Sequence, residues 1–262
     1  LACHQKLYGT RAWSPAGLFR FLVSDFPRTL RTHWKSFAAA TIIFYGLAAL
    51  SAGLVLSQPE SAWDFMPPSQ LETMENMYDP DAEHYLEPRE ASGDADMFGF
   101  YIYNNISIAF RTFAGGVLAG IGSLFFLALN GVSFGVVAGH LVNAGFQDSF
   151  FPFVIAHGSF ELTAIVISAQ AGLLLGWSAF VTRGLSRSES FRRAAKPALT
   201  LIGGAAVMLV AAAVLEAFWS SRHEFPLNLR YASGAACWLF VAAYLGLGGR
   251  GGKRGKAKGG RT

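Results

Sequence analysis

The sequence predicts an all-α membrane protein, a polytopic helical bundle of about six transmembrane helices. Of its 262 residues, 52% are hydrophobic and only 15% are charged, a balance that is unusual for a soluble enzyme. The charges are also unevenly spread, because long stretches without a charged residue alternate with crowded ones. A helix of about 20 apolar residues is long enough to cross a bilayer. The uncharged stretches are therefore interpreted as membrane spans.

Residues 1–36 are predicted to form a basic, amphipathic segment on the cytoplasmic side of the membrane. Ser14 and Pro15 predict a helix start, because proline is favoured at the first helical position. Apolar residues then recur every fourth position from Leu18 to Trp34, with arginines between them and Lys35 directly after the last. This pattern is typical of a helix at a membrane surface, and an ordinary packed helix is the alternative. Pro27 is predicted to divide the segment, with Asp25 capping its second helix.

The membrane domain is predicted to cover residues 37–248. Its first span, residues 37–57, is free of charge. Residues 112–147 also lack charged side chains and exceed one crossing, and the dipeptide Asn130-Gly131 predicts a turn within them. We therefore expect two antiparallel helices, at about 104–129 and 132–147.

The stretch that follows, residues 149–182, contains Glu161 as its single charge and is too long for a simple span. Pro152 and Gly158 interrupt its start, so we expect a re-entrant or tilted half-helix near 151–160, followed by a full span.

Two further spans complete the predicted bundle. Ser186 and Glu189 match a capping box, which opens a basic helix that Pro197 is expected to kink into the apolar run 198–219. A last run covers 231–248. Because the remaining residues, 249–262, are rich in glycine, lysine and arginine, we expect them to be disordered.

The distribution of basic residues predicts the orientation. The N-terminal segment has six lysines and arginines, the 182–197 segment five and the tail six, whereas the opposite set of loops has three. Basic residues accumulate on the cytoplasmic side. Both termini are thus expected in the cytoplasm of a bacterium, with the protein in its inner membrane. The acidic segment 58–103 is expected to be a solvated loop outside.

Several polar side chains lie inside the predicted spans. Ionisable groups there cost roughly 2.5–3.5 kcal/mol each on insertion scales, so they normally pair or line a cavity. Helix rise places these groups in the outer half of the membrane, with Arg111 and Glu161 as direct partners. These polar side chains form a predicted cluster. The sequence leaves open whether this cluster only holds helices together or binds an ion, a proton or a substrate. Its predicted members are Arg111, His157, Glu161, Glu216, Asn104 and Asn105.

The sequence contains little that indicates catalysis. His157 and Glu161 match half of a metalloprotease motif, but the second histidine is missing. No nucleophile elbow, phosphate-binding loop or paired cysteine motif occurs. We expect no catalytic residue, no metal site, no cofactor and no disulfide framework.

Glycines recur at four-residue spacing in two places. Small residues at this spacing let helix backbones approach closely. Packing within one chain and formation of a homodimer are both open from the sequence. The first ladder is Gly131, Gly135 and Gly139, and the second is Gly116 and Gly120.

Several elements occur in an order that resembles the stage II sporulation protein M family. They are the segment 98–102 leading into Asn104-Asn105, the segment 109–113, Asn130-Gly131, the His-Gly-Ser-Phe-Glu-Leu run 157–162 with Ala164 and Ile165, and Gly172 with Gly176. The resemblance covers residues 20–247. It implies a multi-pass membrane protein that, in spore formers, anchors peptidoglycan-degrading partners. Relatives in non-sporulating bacteria tend to accompany MoxR-type ATPases, and the acidic loop and basic N-terminal segment are similar to that group.

The resemblance and the residues together give two functional expectations. The first is a non-enzymatic membrane scaffold that recruits partners in envelope remodelling. The second is a small permease or channel that uses the buried polar residues. The expected partners are membrane lipid and envelope proteins. Nucleic acid is not expected, because the basic residues lie at the ends of apolar runs and not along a soluble face.

Overall fold

The computed structural model describes residues 14–82, 91–182 and 184–250. Within these residues the regular structure is helical, without a strand. The all-α prediction is confirmed. The prediction that the tail is disordered concerns residues that lie outside the described ranges from position 251 onward. Residues 83–90 of the acidic segment also lie outside the described ranges.

The helices have the following bounds in chain order: α1 Pro15–Arg20, α2 Phe26–Thr32, α3 Trp34–Ser57, α4 Ala62–Phe65, α5 Pro68–Tyr78, α6 Ala91–Ala114, α7 Ile121–Asn143, α8 Gln147–Phe180, α9 Arg187–Leu215 and α10 Leu227–Leu247. Of the described helices, α3, α7, α8 and α9 are long and apolar enough to cross a membrane. The chain is therefore a membrane protein. Helices α6 and α10 have 24 and 21 residues but are less apolar.

Helix α8 lies at the centre of the bundle. Inside the molecule, 67% of its apolar stretch is buried, against 28% for α3. It packs against α9 most extensively and also against α6, α7 and α10. Ile167 and Ala171 of α8 meet Leu201 and Leu209 of α9 in the largest apolar core. Side chains on α8 are consequently the ones best shielded from lipid and water.

The predicted half-helix near 151–160 is wrong, because α8 is one continuous helix of 34 residues. Pro152 lies only five residues after its first residue, where few hydrogen bonds have yet formed and a missing N–H costs little. Gly158 does not interrupt the helix either. At about 1.5 Å per residue the helix is about 51 Å long, which exceeds the hydrocarbon core.

The predicted turn at Asn130-Gly131 is also wrong, because α7 passes through both residues. The side chain of Asn130 donates to the Phe126 carbonyl one turn earlier at 2.7 Å, so it stabilises the helix instead of a turn. The chain reverses at 115–120, where Gly120 has a φ of 85°, a conformation that glycine adopts without strain.

The acidic segment is not a simple solvated loop. Helices α4 and α5 lie within it, and α6 already begins at Ala91. Leu71 of α5 is buried in a small core with Val55 and Val136. A 2.6 Å contact between Glu75 and the His140 imidazole joins α5 to α7. The composition indicated solvation, but spaced apolar residues hold these helices against the bundle.

The N-terminal segment packs onto the last helix. Ser14 caps α1 by accepting from the Gly17 amide, as expected. A π-helical turn, Phe21–Asp25, separates α1 from α2 just before Pro27, but the Asp25 side chain makes no capping bond.

Two arginines of α2 reach the end of α10. Arg31 donates to the Leu245 and Gly248 carbonyls, and Arg28 donates to Gly249. We call this contact the terminal clasp. It favours the packed-helix alternative for this segment over a helix that lies only on the membrane surface.

Candidate functional site

Three ionisable side chains converge between α8 and the end of α9. His157 and Glu161 come from α8, and Glu216 from the turn that extends α9. One nitrogen or oxygen from each lies within 4.8 Å of the others. His157 is buried and the two glutamates are partly buried. We call these three residues the buried polar cluster.

Local helix geometry explains the convergence. His157 and Glu161 are four residues apart on one continuous helix, so they share a face. Glu216–Ser220 is a π-helical turn, whose extra residue changes the direction of the side chains that follow. The Ser220 hydroxyl lies 3.0 Å from His157 Nδ1. The π turn thus places a carboxylate and a hydroxyl against the same imidazole.

Asn105 of α6 borders the cluster. Only 3% of its surface is exposed, and its side chain interacts with Glu161. The amide nitrogen nevertheless makes no well-aligned hydrogen bond, whereas its oxygen accepts from Asn104 Nδ2 at 3.1 Å. Asn105 therefore lies beside the cluster with one buried N–H group left for a further acceptor, whereas Asn104 is exposed and contacts Asn105.

Tyr78, the last residue of α5, covers the cluster from the acidic segment. Its ring packs edge-on against Phe150 and Phe153 at 5.1 and 5.7 Å, and Phe153 packs edge-on against His157. Burial raises the pKa of the Tyr78 phenol, and the nearby charge of Glu216 raises it further. The phenol therefore keeps its proton. Sequence reasoning missed Tyr78, and an aromatic residue within a strongly acidic segment was the available signal.

The predicted pair of Arg111 and Glu161 is wrong. Arg111 is exposed, and no ion pair to it occurs within the described ranges. The prediction assumed that α6 starts near Asn104. Because α6 starts at Ala91, Asn105 is level with Glu161, each 14 residues into its helix. Arg111 lies about 9 Å further along, at about 1.5 Å per residue.

A buried cation, Arg230, lies near the cluster, although the count of basic residues predicted it in an outer loop. Only 3% of its surface is exposed, and it donates to the Ser220 carbonyl at 3.1 Å. It is the fourth residue of α10. The sequence signal for Arg230 was its position directly before the last apolar run, 231–248. Because α10 begins three residues earlier, Arg230 lies within the helix and inside the bundle.

The predicted glycine ladders lie at helix contacts within the chain. A Cβ at Gly131 would lie 2.7 Å from the Phe44 carbonyl oxygen of α3, and one at Gly139 would lie 2.9 Å from that of Ala52. At Gly135 a Cβ would overlap the Ala48 carbonyl.

The second ladder contacts α8. A Cβ at Gly116 would overlap the backbone of Gly172, and Gly120 lies against the backbone of Gly176. Because both ladders are used inside the chain, neither supports the homodimer alternative.

The groups of the cluster are ones that can hold a cation or share a proton. An imidazole and two carboxylates provide lone pairs, and two nearby carboxylates in a poorly solvated place favour a shared proton or a bound cation. Ser220 and Asn105 provide the surrounding hydrogen-bonding groups.

Comparison with known proteins gives one match. No curated protein and no solved structure matches the chain. The family model described as stage II sporulation protein M matches residues 36–221, which include α3 from its third residue onward, α4 to α9 and every residue of the cluster. This agrees with the resemblance seen in the motifs around Asn105 and His157. The chain belongs to the stage II sporulation protein M family.

Proposed function

We propose that this protein is a non-enzymatic membrane scaffold that recruits envelope-remodelling partners, such as enzymes that act on peptidoglycan. The observation that supports the proposal is the fixed conformation of residues 58–78, which we call the acidic platform. Binding to a surface that is already ordered avoids the entropy cost of ordering it, so a fixed surface favours the recruitment of a partner.

Several contacts fix the platform to the bundle. Tyr78 is buried by phenylalanines of α8, and its carbonyl accepts from the Ser149 hydroxyl at 2.5 Å. Glu75 contacts His140 of α7. The face of the acidic platform that does not pack on the bundle is acidic and carries Trp63, which is 60% exposed. Aromatic side chains are enriched where proteins bind one another. The exposed acidic residues are Glu60, Asp64 and Glu72.

The proposed location is the bacterial cytoplasmic membrane, with six spans and both termini in the cytoplasm. The spans would be α3 and α6 to α10, since α6 and α10 are also about as long as a bilayer is thick. The excess of basic residues at both ends and in the 182–197 segment supports this orientation. It places the acidic platform outside the cell membrane, where peptidoglycan partners act.

Cross-linking in the native membrane tests the scaffold. The full chain is compared with the triple variant E60Q/D64N/E72Q and with the control S69A/Q70A/T73A, which changes exposed uncharged residues of the same platform. We expect an envelope enzyme to be captured by the wild type and the control, and to be lost from the charge variant. Capture of no such enzyme, or equal capture by all three proteins, would contradict the proposal.

A permease or channel is the second candidate, and the buried polar cluster favours it. Ionisable groups inside a membrane protein mark ion and proton pathways in many families. Proton and cation flux into liposomes that contain the purified protein tests this candidate. Flux that is lost in E161Q and kept in H140Q supports it, because His140 belongs to a separate histidine–glutamate contact. Absence of flux from the wild type contradicts it.

A further inference from the structure

We propose that the buried polar cluster binds one divalent transition-metal cation, of the Zn²⁺ class, through His157, Glu161 and Glu216. The ligand atoms come from two helices and already lie within 4.8 Å of one another. Ligands bound about 2.1 Å from one tetrahedral cation are about 3.4 Å apart. Small side-chain rotations are enough to bring the three atoms to that separation. The site goes beyond the scaffold function and does not depend on it.

The donor set determines the kind of cation. One imidazole nitrogen with two carboxylates is a mixed nitrogen and oxygen set, which suits Zn²⁺ and its first-row neighbours. Magnesium and calcium prefer oxygen ligands, and magnesium usually keeps several of its water molecules. A single dication also neutralises two carboxylates in a region where uncompensated charge is costly. The sequence motif lacks a second histidine, and Glu216 from the π-helical turn after α9 provides the third ligand.

Groups around the cluster match the surroundings of a metal site. A metal-binding histidine usually donates its other ring N–H to a nearby acceptor, which fixes the ring. Ser220 Oγ lies 3.0 Å from His157 Nδ1, which leaves Nε2 for the cation.

The Asn105 amide provides an independent observation. It is buried beside Glu161, and its nitrogen has no aligned acceptor. With a cation in place, that N–H would donate to the Glu161 oxygen that the metal does not use. The π turn at 216–220 supports the same assignment, because such turns are frequent at functional sites.

Metal content of the full chain in lipid nanodiscs tests the proposal. The protein is stripped with a chelator, titrated with Zn²⁺ and desalted, and the bound metal is measured by mass spectrometry. We expect about one Zn²⁺ per chain and a higher melting temperature with Zn²⁺ than without. The variants H157Q and E161Q should bind at least about tenfold more weakly, and S220A about tenfold. The control H140Q should bind as the wild type does.

X-ray absorption of the Zn²⁺-loaded wild type keeps the proposal testable where a variant fails to fold. One imidazole nitrogen and two or more oxygens in the coordination shell support the site. A shell containing sulfur or several imidazoles overturns it. It is also overturned if no Zn²⁺ is retained, if retention is equal in wild type, H157Q and E161Q, or if infrared spectra show a protonated carboxyl pair that excess Zn²⁺ leaves unchanged. None of these measurements reports on partner capture, so the two proposals fail independently.

Discussion

At the scale of single residues, the missing side chain of Gly135 determines how closely two helices pack. Gly135 lets α7 approach α3 until its Cα faces the Ala48 carbonyl and the Ser51 hydroxyl. That hydroxyl also lies 3.1 Å from the Val132 carbonyl and so joins the two helices by a hydrogen bond. The close approach and the interhelical hydrogen bond depend on each other, because both require the short distance between backbones.

Gly135→Ala is therefore expected to destabilise the protein, although alanine is the better helix former. Its Cβ would overlap backbone atoms, and overpacking of this kind costs about 1–3 kcal/mol. Gly46→Ala is the matched control on α3, since nothing lies within 4 Å of a Cβ there. Thermal unfolding in detergent should show a lower midpoint for G135A only. Equal midpoints for the two variants would mean that α3 and α7 are not in close contact.

The two arginines near the ends of α6 and α10 are expected to differ in their contribution to stability. Arg230→Ala removes the donor to the Ser220 carbonyl and leaves a buried group unsatisfied, at a cost of about 1–3 kcal/mol. Arg111 is exposed, so Arg111→Ala should change the free energy of unfolding by less than about 0.5 kcal/mol. Chemical unfolding of both variants measures the difference. A larger loss for R111A than for R230A would contradict the buried position of Arg230 and the exposed position of Arg111.

The sequence could predict which residues of the site matter but not all of their partners. His157 and Glu161 were identifiable because charge is rare in an apolar run and because a helix places residues four apart on one face. Partner assignment needed the depth of each residue, and this depends on where each helix begins. An error of 13 residues in the start of α6 was enough to place Arg111 beside Glu161, where the structure has Asn105.

At the scale of elements, the positions of breaks were harder to predict than the spans themselves. Asn-Gly and proline favour turns locally, but α7 continues through Asn130-Gly131 while it packs on α3, and α8 tolerates Pro152 near its start. Gly131 serves the contact with Phe44 instead of a turn. Close packing of this kind depends on distant parts of the chain, so local propensity could not reveal it.

Tyr78 is expected to contribute strongly to the position of helix α5. Tyr78→Ala removes a ring that packs on two phenylalanines, a change that typically costs about 3–5 kcal/mol in a core. Met77→Ala is the control, because Met77 is 48% exposed. Limited proteolysis followed by mass spectrometry should show faster cleavage within residues 58–82 for Y78A only. Equal cleavage of Y78A and the wild type would show that other contacts hold the platform.

At the scale of the whole molecule, the proposed orientation predicts which surfaces reagents reach. Cysteines introduced at Ser69 and Ser188 are both exposed, one on the acidic platform and one in the basic 182–197 segment. A membrane-impermeant thiol reagent added to intact cells, with Cys3 and Cys237 replaced by serine, should label position 69 only. Permeabilised cells provide the control, in which both positions react. Labelling of position 188 in intact cells would contradict the six-span topology.

The terminal clasp also bears on the order in which the protein can be completed during synthesis. Arg31 and its acceptor Leu245 are 214 residues apart, and Phe26 packs against Tyr244 with ring centroids 6.2 Å apart. Helices α1 and α2 are made well before their partner helix α10, so their apolar face must rest on lipid in the interval. A chain that stops before α10 therefore keeps that face uncovered.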